Sequence, residues 1–307
     1  MASWIGYAMP HGARPRAGGG QAAVPPSFGV IIPNRDRALP LDACLASLAA
    51  QDLRPAWVVL SDLSSRPPDR AVLTGLADRY GVSRIRIDHD GAWNKSLAFN
   101  TAFRLALRSL PATTHVIQLD ADMVLHPHLL SRTAAALGRA SAFYCAPRMA
   151  PPRLTAWGVP GDLDGYERML AQCGPVSTWS VGVFLVLPCG WLAGQRGFDE
   201  AFTGWGHEDT ELWFRAQKAL ASSRDISGRL LIHQWHQQQP GAGQRGANWA
   251  SLAHRMANPG QIANPSGWGN GRVTESVLRP GLARAPRPGN SWPGPAQRAG
   301  ALPPGMR

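Results

Sequence analysis

The stretch that decides the fold is Thr114-His115-Val116-Ile117-Gln118-Leu119-Asp120-Ala121-Asp122. A short apolar run that ends in carboxylates is typical of a buried strand that delivers acidic side chains where it stops. Residues i and i+2 of an extended segment point to the same side, so Asp120 and Asp122 converge if the strand geometry persists. Two hard oxygen anions suit a divalent cation, which could carry a diphosphate. The competing interpretation is a loop whose Asp residues cap the next helix.

Strand and helix patterns alternate four times through the first half of the chain. Continuous apolar runs at 28–33 and 57–60 predict strands that are covered on both faces. Further predicted elements are a strand at 84–88 and helices from Leu41, over 69–80 and from Trp93 to about residue 110. The alternation predicts an α/β fold with a doubly wound, mostly parallel sheet. Ligands of such sheets bind beyond the carboxyl ends of the strands.

The net charge of +11 is concentrated at the ends of the 307-residue chain. Residues 241–307 hold eight arginines and one acid, Glu275, and residues 1–27 add Arg14 and Arg16. Basic ends favour contact with nucleic acid, anionic lipid or another acidic polymer, or they are simply solvated. Because Gly and Pro dominate beyond Pro240, we predict little packed structure there.

The cysteines and the apolar runs bear on the compartment. The four cysteines lack metal-ligand spacing and favour a reducing environment: Cys44, Cys145, Cys173 and Cys189. The first 26 residues lack the apolar core of a signal peptide, and the longest apolar run, 181–187, is far too short to span a membrane. A soluble, cytoplasmic protein is expected, with peripheral contact at the inner membrane face through the basic tail as a further hypothesis.

Polar side chains follow each predicted strand and should gather at one edge of the sheet. Arg35 and Arg37 follow the first strand, Asp62 the second and Lys95 the third. Arg and Lys suit phosphate or an acidic partner, and Asp62 could accept a base imide proton. The sequence contains no Gly-rich phosphate loop of the Walker or dinucleotide type. A bound nucleotide would therefore depend on a metal and on base contacts.

The second half of the chain breaks the alternation. Residues 147–175 form a Pro- and Gly-rich excursion, and a strand is predicted at 180–187. A final short strand at 230–232 ends in His233-Gln234-Trp235-His236. A histidine at a strand end can give a neutral nitrogen to a metal that a carboxylate already holds, although a surface or core histidine is more common.

The most specific run is Gly197-Phe198-Asp199-Glu200-Ala201-Phe202-Thr203-Gly204-Trp205-Gly206-His207-Glu208-Asp209-Thr210-Glu211-Leu212. Gly204 and Gly206 on either side of Trp205 suggest a mobile loop with a stacking aromatic. Glu208 and Asp209 lie near the start of a helix predicted over 210–220. An anion is stabilised at a helix N-terminus, which suits a general base and equally an ordinary cap.

Together these stretches resemble a GT-A glycosyltransferase. More narrowly, the chain is similar to family-2-like bacterial enzymes that share their C-terminal segment with the β-1,4-galactosyltransferases. The resemblance covers about residues 28–236 and rests on four runs: 30–37 (VIIPNRDR), 93–100 (WNKSLAFN), 120–122 (DAD) and 197–212, which matches G-F-(x)n-G-W-G-x-E-D. Two positions depart from the family pattern: Lys95 stands where an arginine is usual, and His207 stands where glycine is common.

The resemblance implies a metal-dependent, inverting transfer of galactose, N-acetylgalactosamine or glucose from a UDP-sugar to a glycan or lipid-linked acceptor. Asp122 and His233 would bind Mn²⁺ (or Mg²⁺), with His236 as the alternative to His233. Asp209 would be the catalytic base and Glu208 would hold a sugar. Trp205 and Gly206 would contact the sugar or acceptor. The nucleotide side would comprise Pro33, Arg35, Arg37, Asp62, Trp93, Lys95 and Asp120.

The resemblance, together with the composition of the two ends that it does not cover, predicts three parts of the chain. They are a flexible arm (1–27), a GT-A domain (28–240) with a nucleotide-binding half (28–125) and an acceptor and catalytic half (126–240), and a largely disordered basic tail (241–307). A sugar nucleotidyltransferase would need a Gly-rich loop with lysine after the first strand, and Pro33-Asn34-Arg35 lacks it. A non-catalytic GT-A-like binding protein, or a nucleic-acid or anionic-polymer binder that uses the tail, stays open. Nucleic acid is the less favoured partner.

Overall fold

The computed structural model describes residues 25–152, 162–177, 181–236, 245–258 and 262–282. The centre of the fold is a block of parallel strands: β1 (Phe28–Asn34), β2 (Trp57–Leu63), β3 (Ser83–Asp88) and β4 (His115–Leu119). Every residue of β1 and β2 is buried, because helices cover both faces of the sheet. The predicted doubly wound, mostly parallel α/β sheet is confirmed.

Three helices follow the first three strands: α1 (Ala38–Ala49), α2 (Pro67–Tyr80) and α3 (Lys95–Ser109). Leu41 and Leu45 of α1 pack in an apolar cluster on one side of the sheet. Phe99 and Phe103 of α3 pack in a second cluster on the other side. The Asn94 side chain accepts a hydrogen bond from the Leu97 amide and so starts α3 at Lys95. This cap fixes where Lys95 leaves the sheet edge.

The second half adds strands of both directions and further helices: β5 (Met123–Leu125), α4 (Leu129–Leu137), β6 (Ala142–Cys145), β7 (Arg148–Met149), α5 (Leu163–Leu170), β8 (Phe184–Pro188), α6 (Cys189–Gly194), α7 (Glu208–Ala219), β9 (Ser222–Asp225) and β10 (Leu231–His233). β8 lies antiparallel between β4 and β6, and β9 lies parallel to β6 at the edge. β5, β10 and β7 form a small second sheet. This small sheet carries His233 of the site, and His236 follows it closely in the chain.

The chain beyond Pro240 contains α8 (Arg245–Ala257) and β11 (Arg272–Val277), so the prediction of little packed structure there is wrong for these segments. β11 pairs antiparallel with β3 and completes a main sheet that, within the described residues, has the order β11-β3-β2-β1-β4-β8-β6-β9. The Gly- and Pro-rich composition of this segment was a poor guide, because one packed helix and one paired strand need few apolar residues. Most of the predicted arm, 1–24, and the end of the predicted tail, 283–307, lie outside the described residues.

Two predicted boundaries in the second half need correction. The strand predicted at 180–187 begins only at Phe184, after a 3₁₀ turn at Val181–Val183. Backbone groups of Gly182 bind side chains of the site instead of a neighbouring strand. The predicted excursion contains β7 and α5, and its residues 153–161 lie outside the described part of the chain. None of the helices in the described residues is long and apolar enough to cross a membrane.

Candidate active site

A carboxylate and two imidazoles meet just beyond the end of β4. The antiparallel pairing of β5 with β10 sets His233 opposite Met123, and the Gln234 amide donates to the Asp122 carbonyl at 2.8 Å. Nε2 of His236 lies 3.2 Å from Oδ2 of Asp122, and Nε2 of His233 lies 3.8 Å from Oδ1. One ligand atom from each of these side chains lies within 4.8 Å of the others. The predicted metal-binding residues therefore come together, and both histidines face Asp122.

The unbonded atoms of this cluster fit a metal ion. Among the described residues, Oδ1 of Asp122 and Nδ1 of His233 are buried and make no hydrogen bond. Burial alone would raise the pKa of Asp122, but His233 and His236 outweigh it and hold the pKa at about 2. A carboxylate with imidazole nitrogens is a ligand set that suits a divalent metal ion.

Asp120 turns toward a different partner. Its Oδ1 lies 2.7 Å from Nζ of Lys95 and accepts a hydrogen bond from Gln118 at 2.8 Å. Nζ of Lys95 also donates to the Gly182 carbonyl at 2.8 Å and lies 3.9 Å from Oε1 of Glu208. Burial would lower the pKa of Lys95, but Asp120, Glu208 and Asp209 outweigh it and raise the pKa. Lys95 is thus a buried cation among carboxylates, and it joins Asp120 to the start of α7.

Asp209 is held at the N-terminus of α7 by backbone donors. The Gly182 amide donates to Oδ2 at 3.0 Å, and the Thr210 amide donates to Oδ1 at 2.6 Å. A Cβ at position 182 would lie 2.2 Å from Oδ2 of Asp209, so the carboxylate can approach only a glycine. Burial, followed by repulsion from Asp209, raises the pKa of the neighbouring Glu208 to about 7.

The loop before α7 presents Trp205 to solvent. Gly204 and Gly206 have φ values of 74° and 101°, which favour glycine, and the Trp205 side chain is 56% exposed. The Gly204 amide donates to the Trp93 carbonyl at 2.6 Å. Asn248 of α8 donates to the carbonyls of Thr203 at 3.0 Å and of Gly206 at 2.9 Å. α8 therefore braces this loop, a contact that the sequence interpretation missed.

On the predicted nucleotide side, Asp62 is buried and already bonded. Its Oδ2 accepts from Arg86 at 2.7 Å and its Oδ1 from the Ser65 amide at 2.9 Å. Arg86 lies opposite Asp62 in the β2–β3 register. The sequence interpretation missed this residue, although it is one of the two partly exposed arginines of β3. Arg35 donates to the Gly91 carbonyl at 2.8 Å. The charge of Arg37 helps to lower the pKa of Asp122, after the larger effects of His233 and His236, so this arginine lies in the neighbourhood of the metal-binding cluster.

Residues 29–176 match the model of glycosyl transferase family 2. The fold is that of a family-2-like GT-A glycosyltransferase. Over 223 residues this GT-A chain is 30% identical to the validoxylamine A glucosyltransferase of Streptomyces hygroscopicus subsp. jinggangensis, covering 62% of the chain and 51% of that relative. The enzyme of the same name from Streptomyces hygroscopicus subsp. limoneus is also 30% identical, with 48% of its length covered. The chain spans about half the length of these curated relatives.

Solved structures share the GT-A fold. Residues 1–349 of S. aureus TarS in complex with UDP superpose with a TM-score of 0.55 and 15% identity, covering 78% of this chain and 66% of that one. The mannosyltransferase PcManGT from Pyrobaculum calidifontis, in complex with GDP-Man and Mn²⁺, gives a TM-score of 0.51 and 17% identity, covering 79% and 67%. The fold recognised in the sequence is confirmed, while the roles of single residues stay predictions.

Proposed function

We propose that this protein is a divalent-metal-dependent, inverting glycosyltransferase that moves a hexose from a UDP-sugar to a hydroxyl of a glycan or related acceptor. One observation carries the proposal: a carboxylate–imidazole cluster, Asp122 with His233 and His236, and a second fixed carboxylate, Asp209, stand at the two ends of one series of contacts. Lys95 connects the two through Asp120 on one side and Glu208 on the other. A metal-binding cluster linked to an oriented carboxylate suits metal-assisted transfer from a nucleotide-sugar.

The relatives support the donor class. TarS has been solved with UDP and with UDP-GlcNAc, and PcManGT with GDP-Man and Mn²⁺. The curated relatives are glucosyltransferases, which favours glucose among the three hexoses that the sequence leaves open. Their name also makes validoxylamine A the first acceptor to test. We keep the acceptor class at a hydroxyl of a glycan or a related small molecule.

Each part of the site has a proposed task. Asp122 with His233 or His236 would hold the ion, which when bound supplies positive charge against the leaving diphosphate. Asp209 accepts the proton of the acceptor hydroxyl, and its orientation is fixed by the amides of Gly182 and Thr210. A single displacement at the anomeric carbon inverts its configuration, so an α-linked donor gives a β-linked product. Trp205 provides an exposed ring against which a sugar can stack.

The test is UDP release from a panel of UDP-sugars, with Mn²⁺ or with chelator, because slow donor hydrolysis needs no acceptor. Asp122→Ala should lower metal-dependent release by on the order of 100-fold, since the carboxylate that both histidines face is lost. Asp164→Ala, which removes an exposed carboxylate from α5, is the matched control and should behave as wild type. Release that is equal with chelator and in Asp122→Ala would contradict metal dependence.

A further inference from the structure

The C-terminal helix α8 reaches the candidate active site through Asn248. This side chain is 4% exposed, and its one amide nitrogen donates to the carbonyls of both Thr203 and Gly206. These carbonyls lie on the two sides of Trp205. A segment from beyond residue 240 therefore fixes the shape of the loop that presents the exposed ring.

The next residue of α8, Trp249, packs on His207. The two rings meet edge to face with centroids 5.4 Å apart. His207 has a φ of 76°, a left-handed conformation that a residue with a Cβ rarely adopts, and it stands immediately before Glu208 and Asp209. Backbone strain of this kind concentrates at functional sites when surrounding contacts maintain it. Here the packing of Trp249 on the His207 ring is such a contact.

Trp249 keeps much of its ring accessible while it packs on His207. Its side chain is 49% exposed, and that of Trp205 is 56% exposed. Two large aromatic rings thus lie half in solvent on the segments that flank Asp209. A single exposed tryptophan needs no explanation, but here two exposed rings belong to segments that meet at His207, two residues before the candidate base, and such rings suit the apolar C–H face of a six-membered ring.

We propose that Trp249 forms a second aromatic wall of the acceptor subsite, in addition to Trp205, and that the acceptor presents a pyranose or cyclitol ring. This inference rests on the proposed transferase function. Asn248 and His207 act as positioning residues: the amide braces the loop, and the imidazole seats the indole. The site then selects ring acceptors over acyclic alcohols that carry the same hydroxyl group.

The experiment compares acceptors that differ in the ring. With the UDP-sugar that wild type hydrolyses fastest, transfer to methyl β-D-glucopyranoside, methyl β-D-galactopyranoside and myo-inositol is measured against transfer to glycerol and to water. Trp249→Ala should lower the preference for the best ring acceptor over glycerol by about tenfold, as a rise in KM for the ring acceptor. Trp249→Phe should restore most of the preference. Met256→Ala, at an exposed position on the same helix, should leave it unchanged.

The outcomes separate this inference from the function on which it rests. Wild type that turns over a donor but shows no preference for ring acceptors would overturn the inference and leave the transferase function intact. Trp249→Ala that keeps the wild-type preference would also overturn it. An equal loss in Met256→Ala would assign the effect to the stability of α8 and reject the wall. Failure of every UDP-sugar to turn over would overturn both.

Discussion

At the scale of residues, the acidic side of the site depends on one buried cation. Lys95 is close to Asp120 and Glu208. The exposed fraction of the side chain is 8% for Lys95, 11% for Glu208 and 29% for Asp120. A buried carboxylate is costly unless it is paired and hydrogen-bonded, so Lys95 stabilises a cluster that would otherwise repel itself. The resemblance predicted a nucleotide-side role for Lys95; its observed contacts are with carboxylates and the Gly182 carbonyl.

Glu208 should make the stability of the protein depend on pH. Burial and the charge of Asp209 raise its pKa from 4.5 to about 7, so the folded state binds more protons than the unfolded state between these values. The free energy of unfolding therefore loses a contribution as pH rises through this window, and the loss is complete above pH 7. Glu208→Gln lacks this loss. Its unfolding free energy relative to wild type should rise by on the order of 2 kcal/mol across the window.

Denaturant unfolding at pH 4.5 and at pH 7.5 measures this difference. Glu167→Gln is the matched control, because that carboxylate has a side chain 54% exposed and lies outside the Lys95 cluster. A Glu208→Gln difference that does not change with pH would show that folding leaves the pKa of Glu208 unshifted.

Both histidines beside Asp122 should contribute to metal binding. His233→Ala and His236→Ala are each expected to raise the Kd for Mn²⁺ by roughly 10- to 100-fold, because each removes an imidazole nitrogen that faces Asp122. Titration of Mn²⁺ followed by electron paramagnetic resonance gives the Kd without any need for turnover. His254→Ala, at an exposed position of α8, controls for loss of a histidine. A variant that keeps the wild-type Kd would identify the other histidine as the ligand.

The site residues that could be predicted from the sequence are those that lie in short motifs. Asp120, Asp122, Glu208 and Asp209 stand in runs whose spacing is informative, and the structure brings them to one region. The missed residues make hydrogen bonds between a backbone group and a side chain that lie far apart in the sequence. Gly182 binds Lys95 across 87 positions and Asp209 across 27, and Asn248 binds the Trp205 loop across more than 40. A lone glycine or asparagine carries no local signal of such a partner.

At the scale of elements, the parallel half was predicted more fully than the second half. Strands covered on both faces appear as continuous apolar runs, and β1 and β2 lie where those runs predicted them, while β3 and β4 also lie close to their predicted positions. β8 also follows an apolar run, but its first residues form a turn because Gly182 binds Lys95 and Asp209. β11 carries mostly exposed side chains, so its pairing with β3 left little pattern in the sequence.

Helix α8 should be required for the geometry of the Trp205 loop. Asn248→Ala leaves the carbonyls of Thr203 and Gly206 without their shared donor, which should lower the free energy of unfolding by about 1–3 kcal/mol. Transfer to an acceptor should fall more than donor hydrolysis, because the loop carries the predicted acceptor contact. Chemical denaturation and paired transfer and hydrolysis assays measure the two effects. Asn258→Ala, at the exposed end of α8, is the control; equal losses in both variants would contradict a specific role in the loop.

At the scale of the whole molecule, the basic C-terminal segment is partly neutralised by the domain itself. Arg255 contacts Asp199 at 2.6 Å, Arg279 contacts Asp78 at 2.7 Å and Arg272 contacts Asp88 at 3.6 Å. These pairs offset part of the charge of the segment, although the Arg272 side chain is 80% exposed. The arginines of the basic ends at 14, 16, 284, 287, 298 and 307 lie outside the described residues, so the hypothesis of an anionic partner or a membrane surface stays a prediction.

Two truncations distinguish a packed C-terminal segment from an appended tail. A chain that stops after Pro240 loses β11 from the edge of β3, and it leaves Asp199, which is 3% exposed, without Arg255. Loss of one partner of a buried ion pair lowers the free energy of unfolding by about 3–5 kcal/mol. An exposed strand edge also favours aggregation. A chain that stops after Leu282 keeps all of these contacts.

We therefore expect the 1–240 chain to be unfolded or insoluble and the 1–282 chain to keep a Tm close to that of the full chain, measured by circular dichroism. Donor hydrolysis by the 1–282 chain should also match the full chain, because every described contact of the candidate active site lies before residue 283. If the 1–240 chain melts like the full protein, α8 and β11 add nothing to the domain. In that case the wall formed by Trp249 would lose its structural basis, since a helix that contributes no stability could not hold the Trp205 loop.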